Sequence, residues 1–308
     1  MTTVDVHATC CAVCSTNGNA TELYVANFSP EDFSPAVFSA RRLPDRIHYR
    51  IVRCSSCGLV RSDPIADSST IASLYRESTF DYSGEVDNLS HTYGAYLARL
   101  DRHGVRKNSL LEIGCGNGFF LGQALRQGYS DVRGVEPSES ALKLADSQVR
   151  GRIACAMMSA GLFPRDSFDV VCLFQVLDHI VDPGSLLDTC FEILKPGGFV
   201  LCLNHNVEAL SARIMKDRSP IIDIEHTYLY GPGTIGKLFS KSGFEVVENG
   251  VVRNRYSLNY LLRLVPFPGL IKNAVLGIAK STGLARLSFS VRLGNLFVIA
   301  QKPLRPDR

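Results

Sequence analysis

The sequence predicts an α/β fold in which helices cover both faces of a parallel β-sheet. Between Ser109 and Gly250, short apolar runs alternate with helical segments, and strands joined in this way form right-handed crossovers in a parallel sheet. The segment LLEIGCGNGFF, residues 110–120, is an apolar strand that runs directly into a glycine-rich turn. A second strand-like run, VRGVEP, contains Glu136, 22 residues after Gly114. Because ligands bind at the carboxyl ends of strands in open α/β sheets, we expect a binding site here.

Length and composition indicate a globular protein with a core of its own. The 308 residues are 45% apolar, with a mean hydropathy of +0.06, and suffice for one large domain and a small one. The stretch MTTVDVHATC has no basic start or apolar run, so we expect no signal peptide, and no stretch approaches the ~18 apolar residues of a membrane span. Ten cysteines without an export signal favour a reducing compartment, so we expect a cytoplasmic protein.

The charge is distributed unevenly along the chain. The net charge is +3, but the segment from Val251 to Arg308 has ten basic residues against Asp307 alone. That segment therefore carries +9 and the other 250 residues carry −6. A basic segment of this kind suits a phosphate-bearing substrate, an anionic membrane surface or a nucleic acid, and a solvated basic face is the alternative.

The predicted elements divide the chain into five segments. The first is rich in turn formers and holds five of the ten cysteines. In LSHTYGAYLARL, apolar residues recur at helical spacing and predict a linking helix. The alternation of the core stops after Gly250, which predicts an inserted lid of basic, amphipathic character before the terminal strand NLFVIAQKP. The five segments are the cysteine module (1–85), the linking helix (86–107), the core (108–250), the lid (251–294) and the terminal strand with its tail (295–308).

Each element of the core has its own local signal. SLLEIG, VRGVEP, FDVVCLFQ, FVLCLN and FEVVENG are strand-like, and GFFLGQALRQGY is helical. Ser138 can cap a single helix over SESALKLADSQV. Asp182 followed by Pro183 has the cap and first-turn arrangement that begins a helix, and this helix is expected to end at LKPGG.

The glycine turn and Glu136 together predict a nucleoside-containing ligand. The turn has the spacing Gly114-x-Gly116-x-Gly118, one residue shorter than the dinucleotide fingerprint, with Glu112 two residues before it. A carboxylate at position 136 can accept both hydroxyls of a ribose while the turn lies against the rest of the ligand. Dinucleotide enzymes share this arrangement, but Glu112 disfavours a diphosphate and is compatible with a zwitterionic amino-acid group.

At this point the sequence resembles the class I S-adenosylmethionine-dependent methyltransferases. The resemblance covers roughly residues 108–250 and the terminal strand, through the segments LLEIGCGNGFF, VRGVEPS, FPRDSFDVVCLFQVLDHIVDP, LKPGGFVLCLN and HTYLYGPGTIGKLFSKSGFEVVENG. It implies a Rossmann-like seven-stranded sheet whose last strand is antiparallel. A sheet protein whose glycines only form a tight turn is the alternative.

The resemblance also implies the cofactor-binding residues. The glycine turn would line the methionine end of S-adenosylmethionine, Glu136 would hold the ribose, and Gln175 would lie beside the sulfonium. Relatives often place an acidic residue near the adenine, where this chain has Met157 and Met158, so adenine recognition is expected through apolar and backbone groups. The predicted cofactor-binding residues are Glu112, Gly114, Cys115, Gly116, Gly118, Glu136, Pro137, Met157 and Gln175.

Two cysteine pairs near the amino terminus predict a structural zinc site. Cys11-x-x-Cys14 and Cys54-x-x-Cys57 can supply four thiolates in tetrahedral geometry. Such a site leaves no open position, so the metal would be structural rather than catalytic. Cys10 could replace Cys11, and free thiols or disulfides are the alternatives. The module resembles the zinc domain of certain sugar-modifying methyltransferases, mainly through CSSCGLV.

These resemblances favour methyl transfer to a hydroxyl of a nucleotide-linked or lipid-linked sugar. An anionic small molecule is the expected partner, with peripheral membrane contact through the basic segment as a further hypothesis. The carboxyl-terminal domain and His-Gly-Gly-Ser stretch of related C-methyltransferases are absent from the sequence. The alternatives are RNA methylation, disfavoured because the first hundred residues hold no basic-aromatic patch, and a catalytically silent S-adenosylmethionine-binding protein.

Histidines that follow the cofactor strands are candidates for the general base. An imidazole titrates near neutral pH and can take the proton of a hydroxyl acceptor. His205 follows the fifth strand, and His226 lies in IEHTYLY; these two are the predicted catalytic residues, although a structural role is the alternative for each. His179 in LDHIVDP is expected to pack and cap rather than react. No cluster of acidic residues clearly indicates a catalytic divalent metal.

Overall fold

The computed structural model describes residues 5–29, 32–34, 37–38, 40–41, 45–77, 80–81, 85–264 and 269–304. Residues 305–308 of the basic segment lie outside these ranges. Within the described ranges, strands β1 to β17 are, in chain order, Val6–His7, Ala20–Tyr24, Ala40–Arg41, Ile51–Cys54, Val60–Ser62, Ile65–Ala66, Phe80–Asp81, Ser109–Ile113, Asp131–Glu136, Ile153–Cys155, Phe168–Phe174, Leu194–His205, Tyr228–Leu229, Glu245–Val251, Asn254–Ser257, Ser288–Val291 and Asn295–Gln301. Helices α1 to α10 are Ser68–Glu77, Val86–Leu97, Phe119–Arg126, Glu139–Lys143, Ser147–Arg150, Pro183–Ile193, Leu210–Met215, Pro232–Lys241, Leu258–Leu264 and Gly269–Ser281.

A seven-stranded sheet forms the centre of the fold, in the order β10-β9-β8-β11-β12-β17-β14. Neighbouring strands are parallel except for β17, which pairs antiparallel with both β12 and β14. Every residue of β8 and β11 is buried, as expected for central parallel strands covered on both faces. The predicted α/β fold, with its antiparallel terminal strand, is confirmed.

A hydrophobic cluster lies on each face of this sheet. Because side chains alternate along a strand, Leu110 and Leu111 of β8 belong to different clusters. Helix α3 contributes Phe120 to the cluster of Leu110, and α6 contributes Leu187 to the cluster of Leu111. The two clusters hold the carboxyl ends of β8, β9, β11 and β12 at one edge of the sheet.

The helix predicted over residues 138–149 is wrong as a single element, because it forms the two short helices α4 and α5. The Ser138 side chain accepts a hydrogen bond from the Ala141 backbone N–H and caps α4 as expected. Asp146 accepts one from Gln148 and caps α5. A second strong capping residue within the run therefore starts a new helix. The predicted start of α6 is confirmed, since Asp182 accepts from the Ser185 N–H at 3.0 Å.

The amino-terminal module joins the core through a shared sheet. Its strands β2, β4 and β5 continue into β13, which belongs to the core segment, in a four-stranded antiparallel sheet. Ser62 of β5 donates its backbone N–H to the Thr227 carbonyl at 2.9 Å and its hydroxyl to the His226 carbonyl at 2.7 Å. The module is thus attached to the loop that carries His226.

The segment after β14 packs against helix α2. Strands β15 and β16 pair antiparallel, and α9 and α10 lie between them in the chain. The backbone N–H groups of Arg253 and Arg255 donate to the Tyr96 hydroxyl and the Thr92 hydroxyl at 3.0 and 2.9 Å. Among the helices of the described ranges, none combines the length and the apolar character needed to cross a bilayer.

Candidate active site

A cavity of about 1030 Å³ opens at the carboxyl ends of the core strands. Its wall combines residues from three parts of the chain: Glu136 and Gln175 after strands of the core, Tyr75 on α1 of the amino-terminal module, and Tyr256 and Tyr260 from the segment after β14. The predicted residues Gly114, Gly116, Pro137, Met157, His205 and His226 also line it, whereas the predicted residues Glu112, Cys115 and Gly118 lie outside its lining. The module and the segment after β14 therefore both contribute to the same cavity as the core.

The glycine turn has a backbone that other residues could not adopt without strain. Gly114 has φ +70°, and a Cβ at this position would lie 2.5 Å from Cγ2 of Val176. Gly118, also at positive φ, immediately precedes α3. The Cys115 side chain is buried and packs against Gly134 of β9, since a Cβ on Gly134 would lie 2.6 Å from its Sγ. The turn thus presents backbone rather than side chains to the cavity.

The Glu136 carboxylate connects the ends of two strands. Its Oε2 accepts a hydrogen bond from the Gly116 N–H and its Oε1 accepts one from the Ser138 N–H, both at 2.9 Å. Burial raises the pKa of Glu136, while these two N–H donors lower it. Each oxygen keeps a lone pair for a further donor, such as a hydroxyl of a ligand.

Two buried acceptors close to the turn lack a partner. Among the described residues, none hydrogen-bonds Oε2 of Glu112 or Oε1 of Gln175. Burial, and then the charge of Glu136, raises the pKa of Glu112 well above its usual range. Gln175 has φ +57°, an uncommon conformation for a residue with a side chain. Unsatisfied buried acceptors fit a ligand that brings its own donors, such as the ammonium group of an amino acid.

Three histidines surround the buried carboxylate of Asp178. Nδ1 of His205 lies 2.5 Å from Oδ2 of Asp178, and Nε2 of His179 and of His226 lie 3.6 and 3.8 Å from its carboxylate oxygens. Nδ1 of His179 lies 2.8 Å from the Tyr75 hydroxyl. The sequence analysis predicted His205 and His226 as catalytic residues but did not identify Asp178 or Tyr75 as part of the site. The sequence signal for Asp178 was its position next to His179, shortly after strand β11.

The electrostatics of this cluster favour the anionic form of Asp178. Burial alone would raise the pKa of Asp178, but the charges of the three histidines and the hydrogen bond from His205 hold it well below its usual range. Burial lowers the pKa of His179 to about 4, against the opposing effects of Asp178 and the Glu225 backbone. Burial also lowers the pKa of His226.

The four predicted metal-binding cysteines lie together in the amino-terminal module. Sγ of Cys11 is 3.3 Å from Sγ of Cys57, Sγ of Cys14 is 3.5 Å from Sγ of Cys54, and all four atoms lie within 4.8 Å of one another. Four sulfurs bound tetrahedrally at 2.3 Å would be about 3.8 Å apart. The exposed Cys10 is not part of this group. The donor set therefore fits a tetrahedral metal ion.

The strand order and the glycine turn place the chain in the class of S-adenosylmethionine-dependent methyltransferases. A family model described as a methyltransferase domain matches residues 87–249, more than half of the chain. The chain therefore belongs to this methyltransferase domain family.

Curated relatives in the comparison are ubiquinone biosynthesis O-methyltransferases. That of Caulobacter vibrioides is 37% identical over 131 residues, 37% of this chain, and that of Idiomarina loihiensis is 31% identical over 161 residues, 49% of this chain. The chain spans 50% and 64% of the length of these two relatives. A solved S-adenosylmethionine-dependent methyltransferase of Archaeoglobus fulgidus is 20% identical, with a TM-score of 0.47 over 72% of this chain and 100% of that one.

Proposed function

We propose that the protein methylates a hydroxyl of a small molecule bound in the cavity of about 1030 Å³. The observation that carries this proposal is that His205, oriented by Asp178 through the 2.5 Å contact, lines the same cavity as Glu136 and Gln175. The proposed base and the proposed cofactor-binding residues thus line one cavity. The names of the curated relatives, which are O-methyltransferases, support an oxygen acceptor.

Within this proposal, residues at the strand ends hold S-adenosylmethionine. Glu136 accepts the ribose hydroxyls, Pro137 and Met157 line the adenine side, and Gln175 lies beside the sulfonium. The backbone of the turn contacts the methionine end, where the unpaired Oε2 of Glu112 attracts the ammonium group. The residues of the turn in this assignment are Gly114, Cys115, Gly116 and Gly118.

His205 acts as the general base and Asp178 as the residue that positions it. The Nδ1–H of His205 donates to Asp178 Oδ2, which leaves the Nε2 lone pair to accept the proton of the acceptor hydroxyl. When bound, S-adenosylmethionine supplies the methyl group, which the acceptor oxygen takes as the carbon–sulfur bond breaks and its electron pair stays on sulfur. The Asp178 carboxylate stabilises the imidazolium that results. His226 donates Nδ1–H to the Ile221 carbonyl at 2.9 Å. Because this contact fixes the orientation of its ring, we assign His226 a supporting role and not that of the general base.

The acceptor is proposed to carry its hydroxyl on a ring. The rings of Tyr256 and Tyr260 stack at 4.9 Å between centroids in the cavity wall, and a flat apolar wall of this kind packs against a sugar or an aromatic ring. The basic charge of the segment after Val251 supports an acceptor with a phosphate, such as a nucleotide-linked or lipid-linked sugar, although none of the described residues that line the cavity is a lysine or an arginine. The relatives are named for O-methylation in ubiquinone biosynthesis, which favours a hydroxyl on a precursor of a quinone.

The experiment incubates the protein with methyl-labelled S-adenosylmethionine and an extract of cells that lack the gene. Label is then counted in nucleotide sugars, lipids, phenolic quinone precursors, RNA and protein. His205→Gln should reduce transfer by about 100-fold or more with unchanged cofactor affinity, whereas the exposed His91→Gln should match the wild type. Label in RNA would replace the proposal with RNA methylation. Label in no fraction would leave a silent cofactor-binding protein, and full activity of His205→Gln would refute the base.

We also propose that Cys11, Cys14, Cys54 and Cys57 hold one structural Zn²⁺. Four thiolates close the coordination sphere, so the ion stabilises the module and takes no part in the reaction. Cys54→Ser should lose the zinc and lower the unfolding temperature of the module, while Cys10→Ser should retain both. Metal analysis and thermal unfolding of the two variants test this. Purified wild-type protein without zinc would contradict it.

A further inference from the structure

We propose that Asp178, His179 and His226 bind a divalent transition-metal ion that contacts the acceptor oxygen. This proposal rests on the proposed function, because it places the ion in the wall of the acceptor cavity. One ligand atom from each residue lies within 4.8 Å of the other two, and the Nε2 atoms lie 3.6 and 3.8 Å from the carboxylate. Ligand atoms bound at about 2.1 Å in tetrahedral geometry are about 3.4 Å apart, so small side-chain shifts suffice.

The Asp178 carboxylate has no permanently charged partner among the described residues. Its side chain is fully buried, and Oδ1 has no hydrogen-bond partner among the described residues. In the described part of the chain, no lysine or arginine forms an ion pair with the Asp178 carboxylate. Its charged or polar partners are the imidazoles of His179, His205 and His226. A buried carboxylate is costly unless it is paired or coordinates a metal. A bound ion would satisfy Oδ1 and supply the missing charge.

Each of the two imidazoles has a hydrogen-bond partner on its Nδ1. The Ile221 carbonyl can only accept a hydrogen bond, so the contact of 2.9 Å places a proton on Nδ1 of His226. In the neutral ring the lone pair of Nε2 faces the aspartate anion at 3.8 Å, and a cation between the two atoms would remove their repulsion. Nδ1 of His179 is held by the Tyr75 hydroxyl at 2.8 Å. Partners of this kind on the second ring nitrogen are typical around metal-bound histidines.

The donor set selects the class of ion and its role. Two imidazoles and one carboxylate suit Zn²⁺, Fe²⁺, Mn²⁺ or Co²⁺ and leave positions open for further ligands. His179 and His226 line the cavity, so the open positions would face the acceptor. An ion there acts as a Lewis acid that lowers the pKa of a bound hydroxyl. His205, hydrogen-bonded to Asp178, would then receive the proton more easily.

Cobalt titration of the metal-free, full-length protein tests the proposal with a readout that does not depend on activity. The wild type should bind two Co²⁺ per chain: one with the strong sulfur-to-cobalt absorption of the cysteine site, and one with only weak visible bands. His226→Asn and Asp178→Asn should each abolish the second ion and retain the first. Cys54→Ser should do the reverse, and His91→Asn should bind both. Tyr75→Phe should weaken the second ion by about 10-fold to 100-fold.

The results that would overturn the proposal are distinct from those that would overturn the proposed function. Binding of one Co²⁺ per wild-type chain, or a second ion that survives both His226→Asn and Asp178→Asn, refutes the metal site. If these variants do not fold, pulsed electron paramagnetic resonance of the second ion in the wild type decides, because the site requires coupling to imidazole nitrogen. Equal methyl transfer with and without the second ion refutes its role only. A chain that binds two ions but methylates no acceptor refutes the proposed function and leaves the metal site.

Discussion

Replacement of Glu136 by glutamine should weaken the binding of S-adenosylmethionine strongly. The carboxylate accepts two backbone N–H bonds of 2.9 Å, from Gly116 and Ser138, and is proposed to accept the ribose hydroxyls as well. Glutamine has the same length, but one of its terminal groups is an NH₂ that would face a backbone donor. The loss of a hydrogen bond to a charged group costs about 1.5–3 kcal/mol. The dissociation constant should therefore rise by about 10-fold to 150-fold.

Isothermal titration calorimetry with S-adenosylmethionine measures this effect directly. Glu139→Gln is the matched control, since Glu139 is an exposed glutamate only three residues further along the chain. Thermal unfolding of both variants checks that the fold is retained. A dissociation constant for Glu136→Gln within about threefold of the wild-type value would refute the assignment. Equal loss of affinity for S-adenosylhomocysteine and its 2′-deoxy analogue would show that the carboxylate shapes the turn without contacting the ribose.

Three further predictions concern the turn, the pH dependence and a helix cap. Gly114→Ala should destabilise the fold by about 1–3 kcal/mol, because its Cβ would lie 2.5 Å from Val176 at φ +70°; Gly151→Ala, with no atom near its Cβ, is the control in denaturant titrations. Since burial raises the pKa of Glu136, cofactor affinity should fall on acidification at a higher pH than an ordinary glutamate predicts, and calorimetry from about pH 8 to about pH 5 that shows constant affinity would contradict this. Asp182→Ala should cost about 1 kcal/mol of unfolding free energy, because the Ser185 N–H loses its acceptor; equal stability would exclude a capping role.

The sequence alone predicted the sheet, and it singled out residues such as Glu136 and Gln175 that line the cavity. Strands such as β8 and β11 are recognisable because most of their residues are apolar, as in central strands of a parallel sheet. The glycine turn follows from steric limits on backbone angles. The cysteine pairs could also be recognised from local sequence, since each C-x-x-C places two thiols on one turn. The prediction of a single helix over 138–149 was wrong because a propensity pattern does not show that Asp146 will cap a new helix.

The acceptor side of the cavity was decided by the tertiary structure. Tyr75 and His179 are 104 residues apart in the chain and His205 is 27 residues from Asp178, so nothing in their local sequence shows that they share one cluster. The pairing of β5 with β13 and the packing of Leu59 into the core cluster attach the amino-terminal module beside the cavity. Local patterns determine which segments become strands, helices and tight turns, since these depend on neighbouring residues. Which distant side chains meet, and which of them surround a buried carboxylate, depends on how those segments pack.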